Sequence, residues 1–247
     1  MRQGARQATL LALACLGAWA AVLGGQSILG EVRARYQLDA AARTLRQDAS
    51  RDGSLDPQAL GDLLPTGTAW LEVPGAQIDL PLAQADPADP DFYLTHALDG
   101  SASPAGTPYL DARCDVRSRH LLAFGHHLTG VGGMFSDLQP CYRQEDFDRV
   151  CGPGLVLTTT GGDGRRVPMR ALCARREDKG FLPIQRFSWD GQEDFRTWLR
   201  DLASTAPARS SDWEARAGAA RQAMTLVTCS SNLAGRPWRT LVVFVSP

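Results

Sequence analysis

The 247 residues carry 26 Lys+Arg against 27 Asp+Glu, a net charge of −1, so no global charge points to nucleic acid or an anionic membrane surface as partner. With 21% charged and 44% hydrophobic residues, the chain is neither disordered nor a polytopic membrane protein. Its six cysteines are too few and too irregularly spaced for a small disulfide scaffold.

Between Arg6 and Glu31 lie 24 residues without a charge. A bilayer core of about 30 Å takes about 20 apolar helical residues, so this run is long enough to span. Arg2 and Arg6 precede it, and the far flank is mixed in sign (Glu31, Arg33, Arg35, Asp39). The cation bias therefore places residues 1–7 in the cytoplasm, a signal-anchor over 8–29, and the rest outside, on a single-pass cell-membrane protein. Ala18-Trp19-Ala20 offers the alternative of a cleaved signal peptide, but apolar residues continue through Leu29. Either reading exports the rest of the chain.

Residues 30–68 read as an extracytoplasmic helix and linker. The Ala-, Arg- and Leu-rich stretch 31–50 is helical and ends at Asp52-Gly53, and 51–68 is a Gly-, Pro- and Thr-bearing connector. From Ala69 short β-type runs succeed one another: AWLEV, QIDLPL, TPYLD, HLLAFG, GLVLTTT, RVPMRAL, MTLVTC and TLVVFV. They stand too close together for a regular βαβ series, so the spacing predicts an antiparallel or mixed β-barrel over 69–247. One insertion breaks the pattern. Phe195, Trp198, Leu199 and Leu202 recur at helical spacing and mark a helix packed on the barrel.

Among four histidines, His126 and His127 form a pair inside AFGHHLTGVGGMF, after an apolar strand, where Gly125 lets the chain turn sharply and present an imidazole at the strand's end. No second group with Cys-x-x-Cys or His-x-x-x-His spacing accompanies them, which weighs against zinc. Cys229 ends the run Met224–Cys229 and opens the polar turn Ser230-Ser231-Asn232. A thiol nucleophile needs a cation or base nearby to reach its thiolate form. Arg239 stands ten residues later at the head of the last apolar run, so a hairpin would set its guanidinium beside the sulfur. Arginine stays charged and offers forked donors to a developing oxyanion. Arg236 and His127 are the rivals to Arg239 and His126.

These segments, in this order, resemble a sortase, and within that family a class B sortase. The resemblance rests on Gly-His-His followed by Met134-Phe135 and Leu138, and on Thr-Leu-x-Thr-Cys with a following arginine. It implies a closed eight-stranded sortase-type β-barrel, mainly β with helical additions, with an N-terminal helix and membrane anchor and a helix inserted before the last strands. It further implies a cysteine transpeptidase without cofactor or metal. Cys229 would attack a Thr–x bond in the C-terminal sorting signal of a surface protein. His126 would protonate the leaving amine, and Arg239 would steady the oxyanion. An amine of a peptidoglycan precursor, or a pilin lysine, would then resolve the thioester. Thr228, Thr95, Phe181 and Leu182 fall where the family binds the signal peptide. Val227 and Thr95 depart from the serine and asparagine common there. A catalytically silent surface scaffold and a hydrolytic cysteine protease are the alternatives. For Cys114, Cys141, Cys151 and Cys173, one or two disulfides and four buried thiols both stay open.

Overall fold

The last two β-type runs of the chain pair with each other, and in the computed structural model they form one wall of a barrel. The structure describes residues 29–51, 53–64, 69–128, 132–160, 164–229 and 237–247, with Cys229 placed by its backbone. The residues of the expected anchor lie outside these, apart from Leu29. Among the described residues no helix is long and apolar enough to cross a membrane.

Eight strands close on themselves: β3 (Ala69–Val73), β4 (Ile78–Gln84), β5 (Tyr109–Leu110), β6 (His120–Phe124), β7 (Leu155–Thr159), β8 (Arg166–Asp178), β10 (Gln222–Cys229) and β11 (Trp238–Ser246). Their order is β11-β10-β6-β5-β4-β3-β7-β8, and β8 pairs back to β11 to complete the circle. The pairs β4–β5 and β6–β10 are parallel and the others antiparallel, so the barrel is mixed. A two-residue β9 (Ala208–Arg209) adds to β8 from outside the circle. The eight-stranded closure and the helical additions agree with the expectation from sequence.

Every residue of β11 from Thr240 to Ser246 is buried. Seven successive buried residues have core on both faces of the strand, which accounts for the unbroken Leu-Val-Val-Phe-Val run. The inserted helix α4 (Gly191–Ser204) buries Phe195, Trp198, Leu199 and Leu202 as the spacing predicts. Each such side chain contributes about 1.5–3 kcal/mol by leaving water. Trp198 also donates its indole N–H to the Pro183 carbonyl at 2.8 Å, tying α4 to the segment that leaves β8.

The N-terminal part differs in detail from the sequence reading. Helix α1 occupies 29–48 and gives way to a small hairpin, β1 (Ser50–Arg51) with β2 (Ser54–Leu55), whose Gly53 adopts φ 78°. The stretch read as a connector holds a helix, α2 (Pro57–Leu63). Its N-terminus is capped by the Asp56 carboxylate, which accepts from the Gln58 and Ala59 backbone N–H at 2.8 and 3.2 Å, with proline next to the cap. Helix α1 is moored to the barrel by Arg46, which pairs with Glu72 at 2.9 Å and with Asp79.

Candidate active site

Three strand ends meet at one rim. In the β10–β11 ladder the register sets Cys229 opposite Arg239, Thr228 opposite Thr240 and Val227 opposite Leu241. In the parallel β6–β10 ladder Val227 stands beside Phe124, and the next residue, Gly125, donates its N–H to the Val227 carbonyl at 3.1 Å. The chain therefore leaves β6 next to the end of β10, and His126 comes one residue later.

The role of Gly125 is closeness rather than a sharp turn. It does not have a positive φ; among the described residues of this loop those belong to Gly132, Gly133 and Met134, at 69°, 80° and 47°. A Cβ on Gly125 would lie 2.5–2.9 Å from three ring carbons of Phe135, which is itself fully buried. Gly125→Ala should accordingly cost about 1–3 kcal/mol by overpacking. Chemical denaturation reads this as a lower midpoint with unchanged slope, and an unchanged midpoint would contradict it.

The return arm of the loop fixes His126. Its backbone N–H donates to Met134 Sδ at 3.0 Å, and its carbonyl accepts from Phe135 N–H at 3.2 Å. Nε2 lies 2.8 Å from the Leu94 carbonyl. A carbonyl only accepts, so Nε2 carries hydrogen and Nδ1 is the nitrogen left to exchange a proton. His127 points elsewhere. It lines a separate hollow with Ser136 and Arg149, whereas His126 lines the groove at the barrel rim.

That groove measures about 430 Å³. His126, Val227, Thr228, Arg239 and Leu241 form one wall, Phe181, Ile184 and Gln185 another, and Asp91, Asp178 and Lys179 bring charge to it. Thr228 is 2% exposed, and its hydroxyl finds no hydrogen-bond partner among the described residues. Arg239 is half-buried and donates to the Trp238 carbonyl at 3.0 Å. Next to it, the Thr240 hydroxyl donates to the Gln139 carbonyl at 2.7 Å. The Arg175 guanidinium lies 4.6 Å from the centre of the Phe181 ring, which braces that wall.

Of the seven residues singled out from sequence, His126, Arg239, Thr228 and Phe181 line this groove, and the backbone of Cys229 ends the strand that borders it. Thr95 and Leu182 do not line it. Thr95 is exposed beside His96, 3.2 Å from its Nδ1, and Leu182 is 78% exposed. Arg236 lies outside the described residues. Among the described residues no cluster of three or more His, Cys, Asp or Glu side chains is arranged to hold a metal ion.

Electrostatics at the groove are dominated by fixed pairs. Burial works to raise the Asp111 carboxyl, but Arg113, bonded to it at 2.8 and 2.6 Å, outweighs this and holds it below the usual carboxylate range. Burial pushes the Tyr109 phenol upward, with Asp91 and Asp111 adding to the shift, so it stays neutral. Leu94 and Met134, which orient His126, do so through a carbonyl and a thioether. The carbonyl has no residue-type signal in sequence, and Met134 carried one only as part of the Met-Phe motif.

No protein-family model matches the sequence, and no curated protein does. Solved structures do match. Staphylococcus aureus sortase B is 16% identical with a TM-score of 0.67, over 86% of this chain and 99% of that one. Clostridium perfringens sortase B is 18% identical with a TM-score of 0.61, over 85% and 99%. Listeria monocytogenes sortase B is 22% identical with a TM-score of 0.57, over 72% and 93%. The chain thus has the fold of the sortase B structures, a mixed eight-stranded barrel with added helices.

Proposed function

We propose that this chain is a sortase-type cysteine transpeptidase whose nucleophile is Cys229. The observation that supports the reading is that Arg239 and His126 line one groove while the backbone of Cys229 pairs with Arg239 in the β10–β11 ladder. Low-identity relatives in fold support it, among them S. aureus sortase B in a substrate complex and in a complex with MTSET.

In this reading the Cys229 thiolate attacks the carbonyl carbon of a Thr–x bond in a sorting signal. The carbonyl π electrons move onto oxygen, and Arg239 stabilises that oxyanion, with Thr228 and backbone N–H groups beside it. As the oxyanion collapses, the C–N bond breaks and His126 gives its proton to the departing amine. The products are a thioester and a free amine. A second amine then attacks the thioester, His126 takes its proton, and the C–S bond breaks with its electron pair on sulfur, which regenerates the thiolate and the protonated imidazole. The acceptor amine belongs to a peptidoglycan precursor or a pilin lysine. Phe181 is assigned to the wall that holds the signal peptide, and Thr95 and Leu182 to its outer approach. Residues 1–7 are assigned to the cytoplasm, 8–29 to a membrane anchor, 30–68 to an extracytoplasmic helix and linker, and 69–247 to the catalytic barrel.

The test is amine capture. The protein is incubated with a library of sorting-signal peptides and with triglycine as acceptor, and products are read by mass spectrometry. A peptide cut after threonine and joined to triglycine is expected. Cut peptide that ends only as free acid would instead mark a hydrolase, and an untouched library would sink the assignment.

A further inference from the structure

Cys114, Cys141, Cys151 and Cys173 are free thiols and buried. They are not equivalent. Cys141 lies near the end of the 3₁₀ turn Ser136–Tyr142, and Cys151 is the last residue of α3 (Gln144–Cys151), which packs on that turn. Both are 0% exposed, and the Cys141 thiol reaches α3 itself, donating to the Asp146 carbonyl at 4.0 Å, five residues before Cys151. Cys114 is elsewhere, its thiol 3.4 Å from the Asp111 carbonyl. Cys173 sits inside β8, opposite Val243 of β11 and Arg209 of β9.

We propose that Cys141 and Cys151 form a disulfide that fastens the 3₁₀ turn to α3 beneath the groove. Cys151 follows that carbonyl by little more than one helical turn, so the two thiols share one buried seam between packed elements, where a disulfide asks for a local adjustment and not a rearrangement. The oxidant is an external disulfide of the thiol-exchange class. A thiolate of one cysteine attacks it, forming a mixed disulfide and releasing one thiol. The second cysteine then attacks the mixed disulfide, the protein S–S bond forms, and a second thiol leaves. Two hydrogens and two electrons pass from the protein to the oxidant.

The burial of both sulfurs dictates when this happens. Neither can meet an oxidant once α3 is docked, so the bond forms during folding and resists reductant afterwards. It bears on the groove through the turn it holds. Phe135, directly before the turn, packs on Gly125, and Gln139 within it accepts from Thr240, the neighbour of Arg239.

The full chain is refolded from denaturant in a glutathione redox buffer, then unfolded in the presence of iodoacetamide and digested without reductant. Chain expressed directly in an oxidising compartment is trapped in the same way. The expected product links the peptides of Cys141 and Cys151, while Cys114 and Cys173 carry the alkyl label and serve as internal controls. Label on both Cys141 and Cys151, or either of them joined to another cysteine, overturns the proposal. Chain refolded in dithiothreitol should melt about 5–10 °C lower than the oxidised chain, whereas a Cys141→Ala, Cys151→Ala double variant should melt alike in both conditions. Equal melting of the unaltered chain would overturn the fastening role.

Discussion

Cys229→Ala should lower the rate of amine capture by about 10⁴-fold or more, because it removes the atom to which the proposed mechanism assigns the covalent intermediate. Arg239→Ala should cost about 10²–10³-fold, mostly in kcat, since an oxyanion exists only after attack. Arg239→Lys should recover little of that loss, because an ammonium lacks the planar fork of donors. The register adds a sharper expectation. Cys229 and Arg239 are opposed in the same ladder, and in the proposed mechanism they serve one transition state, so their losses should not add. The double variant Cys229→Ala, Arg239→Ala should be no slower than Cys229→Ala alone. Steady-state kinetics with one peptide and a saturating amine decide this. Full activity of Cys229→Ala would move the chemistry elsewhere, and a loss at Arg239 confined to KM would make it a peptide-binding residue instead.

Much of the fold is readable because the barrel strands are short β-branched and aliphatic runs separated by glycine and proline. The pairing of β10 with β11 is readable too, since a hairpin links sequence neighbours, and it puts Arg239 opposite Cys229. Nothing comparable announces the parallel pairing of β6 with β10, which joins residues about a hundred positions apart and carries His126 to the same rim. Family resemblance, rather than periodicity, supplies that contact.

The features hidden from sequence are mostly backbone and loop geometry. The 51–68 stretch has loop-like composition, yet Asp56-Pro57 is a cap-and-proline start that nucleates α2. Gly125 suggests conformational freedom, but the constraint comes from the Phe135 ring, ten residues on and packed against it. Thr95 and Leu182 owe their expected place to a motif alone. Their exposure is set by how the loops after β4 and β8 lie on the barrel, which single residue types do not encode.

Acid should weaken the fold well before its carboxylates titrate, and one residue accounts for it. His120 at the start of β6 is 0% exposed, with the rings of Trp198 and Phe187 centred 4.8 and 5.6 Å from its own. Nδ1 lies 3.0 Å from the Arg186 carbonyl, so it holds the hydrogen, and Nε2 accepts from the Thr225 hydroxyl at 2.9 Å. Burial, the largest cause, pushes the imidazole from its ordinary 6.5 down to about 4, against the smaller upward pull of the Arg186 carbonyl and Asp111. Between those two values the unfolded chain binds a proton that the folded chain refuses. Stability is therefore full above pH 6.5 and falls as pH drops towards 4, by about 3 kcal/mol in all. The Asp111–Arg113 pair titrates below that window, because its carboxyl is held under the usual range. His120→Phe should abolish the slope between pH 6.5 and 4 while lowering stability at neutral pH, as it strands the Thr225 hydroxyl and the Arg186 carbonyl. Urea denaturation at a series of pH values separates the two effects, and a slope that persists unchanged in His120→Phe would assign the acid sensitivity to another group.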